Sequence, residues 1–476
     1  MKRYKRVLIL AAVLVLACIA TVAITQYEQE QEQIRNTDAV ILQLPSENVV
    51  ALSWVYAEGE GLSFHKTDDG WNYEEDTAFP VSETKVLNIL RNFENYRAAF
   101  VIENVTDYAQ YGLDEPEATV RLATAERSYS IKLGGFSTMD QQRYIDIGDG
   151  KVYLVAEDPM DYINANLSSM ILHDDTPGFE KVVDITFAGS ENYTIVRTDE
   201  STHTYSPDED IYFVDCDGQT VPLDTDAVRS FLNTITALDL LTYVTYNATA
   251  EELAAYGLDD PMLSVTVNYT YTNDNDQTVA DTCVIHISEN PEERAAADAA
   301  AEGETASAVT KYVRIGDSQI VYTMDDTDFA VLQAASFDDL RHKELFWGDF
   351  ETVKQIDITL EGQAHSLVSK LEGEEDAQEL VWYYGDTKLD IGNMQSALEA
   401  LAVDSFTGER PDKAEEIGVT LHLDNESFPT VELCLYRYDG AMCLAVTDGD
   451  SVGFVSRSSV MDLVEAVQAI VLNEMQ

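Results

Sequence analysis

The side chains able to do chemistry are scattered along the chain. The seven histidines (His65, His173, His203, His286, His342, His365 and His422) include no i,i+3 or i,i+4 pair, so no helix turns two imidazoles toward one metal ion. His286 and His422 lie in segments of alternating apolar residues and read as strand-face or core side chains. Outside an apolar N-terminal run there are four cysteines, Cys216, Cys283, Cys434 and Cys443, and no CxxC, so neither a zinc ribbon nor a thioredoxin motif is encoded. Cys434 and Cys443 flank an expected Asp439-Gly440 hairpin turn. A two-residue loop would set Cys443 opposite Tyr436, with Cys434 diagonal to it on the same face and too far away for an unstrained bridge. Both read as small buried hydrophobes.

Acid clusters offer oxygen donors at Asp215-Cys216-Asp217-Gly218, Asp274-Asn275-Asp276, Asp325-Asp326-Thr327-Asp328 and Asp448-Gly449-Asp450. None has the glycine at six and glutamate at twelve of an EF-hand loop. HExxH, GxSxG, GxxxxGK[ST] and GxGxxG are all missing, and Glu58-Gly59-Glu60-Gly61 fits a hairpin loop. A carboxylate pair for glycoside hydrolysis stays open, because a pair made in space leaves no mark in sequence. No catalytic, cofactor-binding or metal-ligating residue is assigned, and no cofactor is expected.

The elements that would position any site come from repetition. YGLDEP at Tyr111–Pro116 returns as YGLDDP at Tyr256–Pro261, 145 residues later. RYIDIGDGKVYLV (143–155) matches KYVRIGDSQIVYT (311–323) and, more weakly, MCLAVTDGDSVGFVS (442–456). FEKVVDITF (179–187) resembles FETVKQIDITL (350–360). The chain therefore divides into a basic tail 1–6, an apolar segment 7–25, a tether or short stalk helix 26–47, and α+β modules at 48–173, 174–345 and 346–476, the last a divergent copy. An Ala/Glu-rich insertion, 287–310, reads as a surface loop in the second module.

Within each module, strands of period two precede a helix (82–96, 225–240, 393–401), then a short helix ending in glycine, then further strands and a closing helix (161–170, 328–340, 460–472). Thr249–Glu252 and Asp412–Glu415 have the spacing of capping boxes for the short helix, with Gly112, Gly257 and Gly418 as its left-handed C-terminal residues. Asp-Gly turns are expected at 149–150, 439–440 and 448–449. The fold class is α+β: repeated modules of antiparallel sheet with a few packed helices, preceded by one N-terminal transmembrane helix.

Residues 7–25 carry no charge, proline or glycine, and nineteen helical residues span about 28 Å, close to a bilayer core of ~30 Å. Lys2, Arg3, Lys5 and Arg6 precede them, which places the N-terminus in the cytoplasm and the bulk outside. A retained signal anchor is the first reading. A cleaved signal peptide ending at Thr21-Val22-Ala23 and a lipobox at Val15-Leu16-Ala17-Cys18 are the alternatives, and all three export the remainder. Beyond the basic tail, 87 acidic residues face 25 basic ones, a charge of −62. Such a surface repels phosphate backbones, so no nucleic acid is expected as a partner. The 45% hydrophobic content supports packed cores, which makes the charge a solvated surface rather than a sign of disorder.

Each residue of YGLD-[DE]-P has a local mechanical role. Glycine supplies positive φ, leucine folds back and proline blocks continuation. A ligand-contact loop used twice is the competing reading. The single membrane segment, a tryptophan-bearing strand region, a helix, YGL-D-x-P and the late YV-x-IGD-x-x-VY strand pair resemble the bacterial domain-of-unknown-function family 4340, most closely over 48–345. The third module departs, with Ile417-Gly418-Val419 in place of YGL and no matching proline. The resemblance implies no catalytic residue. It implies a membrane-tethered extracytoplasmic accessory subunit near transport systems of the gliding-related ABC type. Expected partners are thus the membrane, through 7–25, and an ABC permease or related envelope proteins. An exported module binding a cell-wall glycan or another envelope ligand, and an uncharacterised hydrolase, are the other two readings.

Overall fold

The computed structural model describes residues 13–24, 33–216, 218–299, 308–373 and 379–473. The chain folds as two compact units, one of Met1–Asp174 with Thr245–Asn247, the other of Asp175–Val244 with Ala248–Gln476. Among the described residues the secondary structure is mostly antiparallel sheet with few helices: three sheets of nine strands each and one small two-stranded sheet.

One strand order recurs three times. In the third sheet it runs Val403–Phe406, Asp450–Ser456, Met442–Thr447, Thr430–Arg437, Glu415–Leu423, Val353–Leu360, Gln363–Glu372, Glu379–Tyr384, Thr387–Leu389. The second sheet has the same order from Tyr243–Thr245 to Gln219–Pro222. The first shares eight of these places, from Phe100–Glu103 to Gly70–Tyr73, and takes its ninth strand, Gln33–Asn36, on the opposite edge. Each sheet is thus a short meander, a helix (Glu83–Arg91, Thr225–Thr236, Gly392–Glu399), a far strand that is the edge in the second and third sheets, and a four-strand meander that fills the gap between them.

The central strands explain the alternation. Val49, Val182 and Val353 are all buried, and immediately after each the register with the neighbouring strand slips by one residue. That bulge resets the side-chain parity. Behind it, Leu52 and Trp54, Ile185 and Phe187, and Ile356, Ile358 and Leu360 all face the core. The long helix Arg457–Asn473 packs beside Gly392–Glu399, and its buried Val460, Leu463, Val464 and Val467 join the third core.

Several expectations are corrected. The region 26–47 is not a stalk helix over its described part: Gln33–Asn36 and Val40–Gln43 are strands paired with Phe100–Glu103 and Asn95–Arg97. The helices expected over 82–96, 225–240 and 393–401 stop earlier, at Arg91, Thr236 and Glu399, and 95–97 joins a strand. The closing helices at 161–170 and 328–340 are each broken into two short pieces. Gly418 ends no helix. Glu415–Leu423 is a strand across its whole length, so 412–415 caps nothing and the third module lacks the short helix among its described residues. The insertion begins later than 287, since strand Thr278–Glu289 continues to Glu289; Pro291–Asp298 is helical, and 300–307 lie outside the described residues.

Asp448-Gly449 forms the tight turn, with φ of 53° and 90°, the sign both central residues of a type I′ turn need. Asp439-Gly440 does not. Its loop has four residues, held by Asp439 Oδ1 accepting from Ala441 and Met442 backbone N–H. Cys443 therefore faces Arg437 and Cys434 faces Val446, on opposite sides of the sheet, and both thiols are free. Residues 13–24 are helical, while 1–12 and 25–32, which hold the tail and both ends of the expected 7–25 span, lie outside the described residues. Among the described residues no helix is long and apolar enough to cross a membrane.

Candidate functional site

The two repeated motifs meet in space. Tyr111 of the first YGLD packs on Tyr144 of RYIDIGD at 4.9 Å between ring centroids, and Tyr256 packs on Tyr312 of KYVRIGD at 4.8 Å. Gly112 and Gly257 both have φ of 70°. Behind them Leu113 and Leu258 are buried and donate their backbone N–H to Tyr108 and Leu253 carbonyls, closing the helix end. Ahead of Gly257 the Thr249–Glu252 capping box is present as expected. A Cβ on Gly257 would lie 2.6 Å from Ser288 Oγ and 3.0 Å from Glu289 O, and one on Gly112 would lie 2.9 Å from Gly135 N. Gly112→Ala and Gly257→Ala should each cost about 1–3 kcal/mol in urea unfolding. Gly418→Ala, in regular strand beside the flexible end of Glu415, should stay within about 0.5 kcal/mol of wild type. Equal losses at all three positions would refute this mechanical role for the motif.

A buried polar cluster lies elsewhere, in the second unit. Asp210 is 1% exposed, and a carboxylate so deep needs its lone pairs filled. His342 Nε2 donates to Oδ1 at 2.8 Å, and Trp347 Nε1 donates to Oδ2 at 3.0 Å. Thr204 Oγ1 also donates to Oδ2 and in turn accepts from Ser206 N–H at 3.0 Å. The imidazole lies flat on the Trp347 indole, at 4.2 Å and 8°, and Tyr205 packs against the same indole at 4.6 Å. Burial pushes the Tyr205 phenol well above its usual range. A ring nitrogen of His342 comes within 4.8 Å of carboxylate oxygens of Asp224 and Glu344, a group able to hold a metal ion. Asp224 sits at the N-cap of helix Thr225–Thr236, where Oδ1 accepts from Asp226 and Ala227 backbone N–H. A cavity of about 130 Å³ lies beside the cluster, lined in part by Arg341, His342, Glu344 and Trp347.

On the third sheet, Ser366 Oγ donates to Asp357 Oδ1 at 2.7 Å, and His422 Nε2 lies 2.7 Å from Oδ2. Burial works against ionisation of Asp357, but hydrogen bonds from Ser366, Gln355 and His422 outweigh it and hold the carboxyl low. The serine and the histidine each face the aspartate rather than each other, whereas a nucleophile needs its base on its own hydroxyl. Burial, with Glu415 and Glu432 nearby, pushes the Cys434 thiol up to about 11. Burial also pushes Cys283 and Cys443 up to about 11, so these sulfurs stay protonated at neutral pH. His286 lies on its strand with Nδ1 2.8 Å from Ser264 Oγ. The acid clusters serve local structure: Asp325 caps a helix, Asp215 Oδ1 accepts from Gly218 N–H, and Asp276 and Asp448 sit in turns at positive φ. A cavity of about 800 Å³ is an acidic cleft that includes Trp382, Lys388, Glu351 and Glu379.

The family described as Domain of unknown function (DUF4340) matches residues 71–210 and 217–420. The chain belongs to DUF4340. Each of the two matches contains one YGLD motif, and their starts lie about as far apart as the motifs themselves. No curated protein and no solved structure matches the chain. Asp210 closes the first DUF4340 match, while Asp224, His342 and Glu344 fall in the second. These four residues escaped sequence reasoning because three separate segments bring them together. The one local signal is the His342-Lys343-Glu344 spacing, which does not stand out in a chain this acidic.

Proposed function

We propose that the protein is a membrane-anchored extracytoplasmic accessory protein, acting as a non-catalytic partner of an ABC-type, gliding-related transport system. One observation carries the anchoring. The helix at 13–24 leaves Val13, Leu14, Val15, Leu16, Ile19, Val22 and Ile24 between 57% and 67% exposed. Apolar side chains exposed on every turn need a solvent other than water. The four cations before the segment and the charge of −62 after it fit an inside-to-outside orientation. The transport partnership rests on the DUF4340 resemblance and on repeated modules whose recurring motif is mechanical. The full-length chain should sediment with membranes, resist carbonate, need detergent for release, and be degraded by protease added outside intact spheroplasts. Crosslinking before extraction should recover a permease and an ATPase. Carbonate release or protease protection would refute the topology, and a membrane-bound chain without either transport component would refute the partnership. A glycan or other envelope ligand is the second reading, favoured by the acidic cleft at Trp382 and Lys388, and retention on peptidoglycan would support it.

A further inference from the structure

We infer that Asp224, His342 and Glu344 form a binding site for a divalent transition-metal ion of the Zn²⁺ class, with Asp210 as the residue that positions the imidazole. The three donors come from two places: Asp224 at the start of a helix, and His342 and Glu344 on the loop that leads into the third sheet. Their ligand atoms all lie within 4.8 Å of one another. This is the size of gap that an ion with bonds of about 2.0–2.2 Å to nitrogen and oxygen can bridge with small side-chain adjustments.

Three observations distinguish the group from a chance cluster of acids. First, one donor is an imidazole whose Nε2–H is already fixed on a carboxylate that is 1% exposed. A metal-binding histidine commonly gives its other N–H to such a carboxylate, which sets the tautomer and leaves Nδ1 as the ligand. Second, the ring plane is held by the stacked Trp347 indole, so the direction of that lone pair is fixed. Third, Asp224 spends only Oδ1 on the helix N-terminus, which leaves Oδ2 for a ligand. Neither Asp224 nor Glu344 forms an ion pair with lysine or arginine among the described residues. A dication would meet two carboxylates and one imidazole, and the cavity lined by His342 and Glu344, with Arg341 also on its wall, has room for water. The bound ion would clamp the loop after Leu340 to the helix at Thr225, joining the second and third sheets within one unit.

The test uses the full-length chain in detergent, stripped with chelator and titrated with ZnCl₂ against a chromogenic competitor. One equivalent should bind, the melting temperature should rise, and X-ray absorption should show a single imidazole in a nitrogen and oxygen shell. The D224N/E344Q double variant should bind at least tenfold more weakly. Its metal-free melting temperature should match wild type, since asparagine caps a helix as aspartate does and Glu344 is exposed. D210N should weaken binding by a smaller factor while leaving the stoichiometry at one. Equal Zn²⁺ uptake by wild type and the double variant, or a shell without imidazole, would overturn the site and leave Asp210–His342 as a structural hydrogen bond alone.

Discussion

Arg143→Ala should lower the stability of the first unit by about 3–5 kcal/mol, read as a shift in its urea midpoint. Arg143 is 6% exposed. Its Nε donates to Asp158 Oδ1 at 2.6 Å, and its Nη1 donates to both Glu117 Oε2 and the Gly134 carbonyl at 2.6 Å. The loss would come mostly from Asp158, whose side chain is only 12% exposed and would be left with no cation beside it. Glu117 is half exposed, so water would screen it and its share is small. Asp158 also accepts from Met160 backbone N–H, so the short helix that follows should loosen together with the pair. The second sheet supplies an internal control. There Lys311 stands where Arg143 does, and it reaches Asp326 at 2.6 Å over the same fifteen-residue spacing, but Asp326 is 86% exposed. Lys311→Ala should therefore cost less than about 1 kcal/mol. A loss at Arg143 no larger than that at Lys311 would mean that burial of the pair contributes nothing.

Asp210→Ala should be as damaging, by about 3–5 kcal/mol, and the effect should appear in the second unit. The substitution strips an acceptor from Trp347 Nε1, Thr204 Oγ1 and His342 Nε2 at once and leaves a small cavity. Each abandoned donor costs about 1–3 kcal/mol when water cannot reach it, and partial relaxation brings the sum down. Asp210→Asn should recover much of the loss, because its one carbonyl oxygen still accepts while its amide meets donors on the other side. Thermal melts of the three proteins in the presence of chelator would decide it, with the order wild type, Asn, Ala expected. Ala and Asn variants of equal stability would show that hydrogen bonding to this carboxylate is not what holds the cluster.

How much of this was legible depended on whether the signal was local. Positive φ at Gly112 and Gly257, the capping box at Thr249 and the turn at Asp448-Gly449 follow from a few adjacent residues, and the sequence shows each of them. The repeats were legible for the same reason, and the strand pairs they announced are the adjacent strands Gln142–Asp146 with Val152–Val155, Lys311–Ile315 with Val321–Met324, and Met442–Thr447 with Asp450–Ser456. Gly418 misled because glycine is also tolerated in a strand, and only the neighbours that pair with Glu415–Leu423 settle its state. The stalk-helix alternative for 26–47 failed in the same way. Gln33–Asn36 is polar and short, and becomes a strand only because Phe100–Glu103 offers it an edge. The stacking of Tyr111 on Tyr144, the bulges after Val49, Val182 and Val353, and the convergence on Asp210 are contacts between segments far apart in the chain. No pattern within one segment encodes them.

The opposite placement of the ninth strand gives the first sheet a mechanical property that the other two lack. Gln33–Asn36 is the outermost strand, paired over four residues, and it is the first piece of sheet met by tension arriving from the N-terminal side. Tension of this kind would peel that ladder away before it reached the central strand Val49–Tyr56, which is paired on both flanks. The edge strand would then act as a fuse: its four residues would release about a dozen angstroms of slack before the shared eight-strand body was loaded.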